Sequence, residues 1–160
     1  MKKPTLTLAL TLGLATALAL PALAQAREVT FTTELKDYGG DEAYMALYLT
    51  DTSGQYQDTL WIAGEKSKYY KHLRDWARGS GQRSREYDGL TGASLGSGRS
   101  RNITLEIADE LIDAGYEVRV DTAVEDRRDN RADAVIPLTT EGAGQPVSGR
   151  GYVKSFRYTF

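Results

Sequence analysis

From Val29 onward the side chains take turns. Val29, Phe31, Thr33 and Leu35 alternate with polar residues, a period of two that suits a strand with one covered face. Comparable short runs recur to the end of the chain. AYMALYLTD (Ala43–Asp51) is apolar on both faces and reads as a central strand; YQDTLWIA (Tyr56–Ala63) follows the turn DTSG as its hairpin partner. Strands resume at Asn102–Ile107, Tyr116–Val124, Ala134–Leu138 and Tyr152–Phe160, separated by the polar turn DRRDN and the Gly-Pro-rich stretch 142–151. Seven short strands so spaced predict an all-β fold, an immunoglobulin-like antiparallel β-sandwich. The last run alternates and ends on Phe160, but a membrane barrel needs more strands of ~10 residues than this chain offers.

One segment breaks the period. Between Ser67 and Arg78 the apolar positions Tyr69, Leu73 and Trp76 stand at i, i+4 and i+7. This spacing predicts one inserted amphipathic helix, with Ser67 as N-cap, Gly79 as stop, and Tyr69 and Trp76 on the buried face.

The first 26 residues have a different character. Lys2 and Lys3 precede an apolar stretch from Leu8 to Leu20, Pro21 breaks it, and Ala24-Gln25-Ala26 offers a small-x-small cleavage site. We read residues 1–26 as a cleaved secretory signal peptide and residues 27–160 as a single periplasmic domain. The apolar run falls short of the ~20 residues that a spanning helix needs. Without Lys2 and Lys3 the 20 basic residues become 18, against 22 acidic ones, a net charge of −4. That balance disfavours general binding to nucleic acid or anionic lipid. The chain has no cysteine, which excludes disulfides, thiolate nucleophiles and cysteine-ligated clusters.

A long glycine-rich loop remains, about residues 79–100. Six of the sixteen glycines fall between Gly79 and Gly98, and loops of this length in compact domains are usually functional or disordered. Asp88-Gly89 can form a tight turn, since glycine accepts positive φ. Gly92-Ala93 leaves the backbone between the hydroxyls of Thr91 and Ser94 nearly bare, so another protein's cleft can close around it.

The stretch DGLTGAS (88–94) resembles the acceptor motif of flavinylated proteins, Asp-x-x-(Ser/Thr)-Gly-Ala-(Ser/Thr). In those proteins, which include subunits of the sodium-pumping quinone reductase, a Mg-dependent FAD:protein FMN transferase joins FMN through its phosphate to the last hydroxyl. The resemblance implies Ser94 as the FMN attachment residue, and Asp88, Thr91, Gly92 and Ala93 as the recognition element. Threonine is the commoner acceptor; serine supplies the same oxygen nucleophile. The wider chain, with its basic segment KYYKHLRDWAR before the motif, resembles a family of predicted periplasmic proteins carrying a domain of unknown function. That family is linked to PepSY-type membrane proteins and flavin transferases. The resemblance implies a periplasmic electron carrier, fed by a membrane flavoreductase or PepSY-type partner and not an enzyme with its own substrate. The alternative is a non-redox binding or accessory module whose loop stays unmodified.

Other residues fill in this reading. Lys66, Lys68, Lys71, Arg74, Arg78, Arg83 and Arg85 face only Asp75 in the same segment, a basic concentration able to neutralise a phosphate or meet an acidic partner, or simply a solvated face. Tyr70 and Tyr87 are the candidates for exposed stacking on a flavin ring. His72, the only histidine, is expected to pair with Asp75 at the surface. The acids Glu125, Asp126, Asp129 and Asp133 lack the spaced ligands of a calcium loop and read as a polar hairpin.

Overall fold

The computed structural model describes residues 25–160; residues 1–24, nearly all of the expected leader, lie outside the described residues. The strands are β1 (Ala26–Leu35), β2 (Ala43–Thr50), β3 (Tyr56–Ala63), β4 (Thr91–Gly92), β5 (Ser100–Ala108), β6 (Glu117–Val124), β7 (Asn130–Pro137) and β8 (Val153–Thr159). They form a three-stranded sheet in the order β5-β1-β8 and a five-stranded sheet in the order β4-β3-β2-β6-β7. Pairing is antiparallel except between β3 and β4, which run parallel over two residues. The sandwich expectation therefore holds as architecture, two packed sheets, with a strand order of its own.

Alternation explains the packing. The inward side chains of β1 (Val29, Phe31) meet Met45, Leu47 and Leu49 of β2, with Val118 and Val120 of β6 and Phe156 of β8, in one buried cluster. Phe31 lies 6.2 Å from Phe156 and 6.1 Å from Tyr158, centroid to centroid. With no disulfide available, this cluster carries the stability. Each fully buried side chain of this size contributes about 1.5–3 kcal/mol relative to exposure.

β2 is buried on both faces, as its composition predicts. Ala46 and Tyr48 point away from the sandwich and are covered by the segment after β3, in a second cluster with Ile62, Tyr70, Leu73 and Trp76. That segment departs from the expected single helix. Ser67–His72 is a 3-10 helix, Leu73 breaks the run at ψ 76°, and α1 (Arg74–Ser80) follows, passing Gly79 before the chain turns at Gly81. Ser67 supplies no cap. A three-residue turn brings Tyr70, Leu73 and Trp76 onto the buried side, so Tyr70 is buried where exposure was expected, and Tyr69 is half-buried where full burial was expected.

The break has a cause outside the segment. The buried carboxylate of Asp121 on β6 accepts the backbone N–H groups of Asp75 and Trp76 at 2.8 and 2.9 Å, satisfying the orphan donors of the first turn of α1. Its other oxygen accepts Tyr48 Oη–H and Ala132 N–H. Burial pushes the Asp121 carboxyl above its ordinary range, while these donors pull it back. Asp133 is likewise buried in β7, where it accepts from Thr122 and from the backbone of Gly151, Tyr152 and Val153, fixing the entry into β8. Among the described residues no helix is long and apolar enough to cross a membrane, which says nothing of β-barrels.

Candidate functional site

The glycine-rich loop is ordered by contacts at successive points. Ser84–Glu86 forms a single 3-10 turn, and Leu90 N–H then reaches the Tyr87 carbonyl at 2.9 Å across Asp88-Gly89. Gly89 takes φ +76° with open space around it, so the tight turn forms where the dipeptide predicts it. Tyr87 is half-buried and packs edge-on against Tyr70, 5.2 Å between centroids.

The next residues join the five-stranded sheet. Ile62 N–H donates to the Leu90 carbonyl at 2.8 Å and Gly64 N–H to the Gly92 carbonyl at 2.7 Å. Gly92 lies so close to the indole of Trp61 that a Cβ there would stand 2.6 Å from a ring carbon. The motif's glycine thus answers a close approach of backbone to ring. Leu95 then exchanges both backbone hydrogen bonds with Ala43, at 2.8 and 3.0 Å, at the start of β2. Ala93 and Ser94 span the gap between these two anchorages.

Ser94 is half-buried and donates its hydroxyl hydrogen bond to Glu42. It opens onto a hollow of about 390 Å³ bounded by Ala93, Asp41, Glu42, Glu65, Glu125, Lys66 and the rings of Tyr44 and Tyr69. Four carboxylates against one ammonium make this hollow acidic. Burial raises the Tyr44 phenol above its ordinary value, and nearby Tyr69, Glu125 and Glu65 push it further. Tyr44 and Tyr69 meet edge to face at 5.5 Å, and Lys68 Nζ lies 4.8 Å from the Tyr69 ring centre.

A family model described as "Predicted periplasmic protein (DUF2271)" matches residues 26–155, which takes in β1 to β7, the start of β8, the helical segment and the whole loop. The chain belongs to this family. Its description bears out the periplasmic location expected from the sequence. No curated protein and no solved structure matches the chain.

Within this DUF2271 domain the expected site residues separate into two groups. Thr91, Gly92, Ala93 and Ser94 come together on one short span, with Thr91 and Ala93 exposed. Asp88 is exposed at the preceding turn and does not line the Ser94 hollow. Tyr70 is corrected: it is buried, its hydroxyl donates to the Gly64 carbonyl at 2.7 Å, and its ring packs on Trp76 and Tyr87. It therefore offers no exposed face, and Tyr87 serves with it to anchor the loop. The aromatic surfaces beside Ser94 belong instead to Tyr44 and Tyr69.

The expected pair of His72 with Asp75 is also corrected. His72 Nδ1 lies 3.2 Å from Asp129, which Arg74 contacts at 2.7 Å, while Asp75 faces Arg131 at 3.8 Å. The change of helix type at Leu73 breaks the helical spacing on which that pair depended. The basic segment is partly neutralised in the same way: Arg83 and Arg85 both contact Glu86, and of the seven cations only Lys66 lines the Ser94 hollow.

Proposed function

We propose that this protein is a periplasmic electron carrier with FMN joined by a phosphoester to Ser94, placed there by an FAD:protein FMN transferase. The observation that carries the reading is the setting of Ser94: a half-buried hydroxyl on a span pinned at both ends, hydrogen-bonded to a carboxylate and open to an aromatic-walled hollow. The donor set fits an attached group of this kind. A hydroxyl can form the ester, Glu42 already accepts its hydrogen, the adjoining Ala93 is exposed, and Lys66 is the one cation of the lining to meet the phosphate.

In the attachment step Ser94 Oγ bonds to the flavin-side phosphorus of FAD, the P–O–P link breaks, and AMP leaves. The hydroxyl proton passes to a base, and no electrons change hands. Bound FMN supplies reversible transfer of one or two electrons. The protein's part is to hold the group at a fixed place beside the acidic rim, from which it can exchange electrons with a membrane flavoreductase or PepSY-type partner.

Co-expression of the full chain with a competent transferase, followed by intact mass spectrometry of the exported protein, tests this. The expected product is yellow and heavier by one FMN less one water, and Ser94→Ala abolishes the change. An unmodified mass, or a modification that persists in Ser94→Ala, would favour the non-redox binding or accessory module instead.

A further inference from the structure

The hollow at Ser94 does not stop at its aromatic wall. Tyr44, Tyr69 and Glu125 also line a second hollow of about 250 Å³, which runs on over Ala123 to His72 and Arg127. The two share these walls and form one groove leading away from the acceptor hydroxyl.

We infer that the isoalloxazine ring of a flavin held on Ser94 lies in this groove, against Tyr44 and Tyr69, with His72 and Arg127 at the far end. The inference rests on attachment at Ser94. A planar, uncharged ring system suits a wall built of two phenol rings packed edge to face, since aromatic pairs prefer edge-to-face and offset contacts. Small-molecule sites characteristically combine such apolar walls with a few polar groups that fix orientation.

The tether, not charge, keeps the phosphodiester at the mouth: Asp41, Glu42 and Glu65 stand there beside Ser94, with Lys66 as the one cation of that lining. The second hollow is lined more by apolar than by polar surface, which suits the uncharged ring. The other aromatic candidates are spent: Tyr70 is buried, and Tyr87 packs against both Tyr70 and Trp76.

The test uses the full-length flavinylated protein and three readouts: intact mass, flavin emission with iodide quenching, and visible circular dichroism. In the unsubstituted protein the flavin emits several-fold more weakly than free FMN, because tyrosine contact quenches it. It also resists iodide and shows an induced dichroic band. Tyr69→Ala leaves the adduct mass unchanged but restores emission and iodide access. The unsubstituted protein supplies its own check should that variant misfold: an adduct that emits, quenches and lacks dichroism like free FMN overturns the groove while leaving attachment at Ser94 intact. An unmodified chain overturns both.

Discussion

Ser94 on the glycine-rich loop donates its hydroxyl hydrogen bond to Glu42, fifty-two residues earlier in the chain and one residue before β2 begins. A carboxylate so placed orients the oxygen and can receive its proton. Glu42→Gln is therefore expected to slow FMN transfer by on the order of 10²-fold, the low end of what a positioned proton acceptor contributes. Ser94→Thr keeps the nucleophile and should still be modified. A mass-spectrometric time course with purified transferase and FAD checks both; equal rates for the parent protein and the Glu42→Gln variant would remove Glu42 from the step.

Gly92→Ala tests the close approach at the motif's centre. The new methyl would stand 2.6 Å from the Trp61 ring, so the indole or the β3–β4 pairing must give way. Overpacking of this kind costs about 1–3 kcal/mol. Denaturant unfolding should show a lowered midpoint, accompanied by a shift in tryptophan emission. A midpoint unchanged from the parent protein would mean that the strand is not held as described.

Asp121→Asn is expected to be severe although it is nearly isosteric. Both carboxylate oxygens accept two donors each, and the amide nitrogen of asparagine would turn donor toward donor. The loss is about 1–3 kcal/mol for each donor left without an acceptor. Thermal melts should report it, and loss of protection at the Asp75 and Trp76 amides in hydrogen exchange would locate it at the start of α1.

The tyrosines set an alkaline limit. Burial pushes Tyr56 up to about 12 and Tyr48 higher still, from an ordinary value of 10.0. Between the two values the unfolded chain has lost protons that the folded chain retains. Stability must then fall as pH rises from about 10 through about 12. Unfolding free energies measured across that range should decline, less steeply in Tyr56→Phe. A flat profile would contradict the raised values.

How much of this the sequence discloses depends on the range of the interactions. β2 is legible because a strand apolar on both faces must be covered on both, and it is. Gly92 and Ser94 are legible as parts of a short motif, but the Glu42 beside Ser94 is a lone acid before a strand and carries no local signal. The helix fails for a related reason. Over six residues with adjacent tyrosines, periods of 3.0 and 3.6 both find an apolar face, and the choice is made by Asp121 from a strand 46 residues away. His72 likewise finds its acid 57 positions on, where helical spacing has no authority.

The two-residue strand β4 has a consequence for solubility. It pairs with Ile62 and Ala63 and so covers the last two residues of β3 on the outer edge of the five-stranded sheet. Uncovered edges are templates for intermolecular pairing, and an exported chain without disulfides has few other safeguards against it. The span that carries Ser94 therefore also shields the end of that edge: a variant that deletes it should lose monodispersity as well as the hydroxyl. If the loop is modified as proposed, the same handful of residues serves both the sheet edge and the attachment of the group.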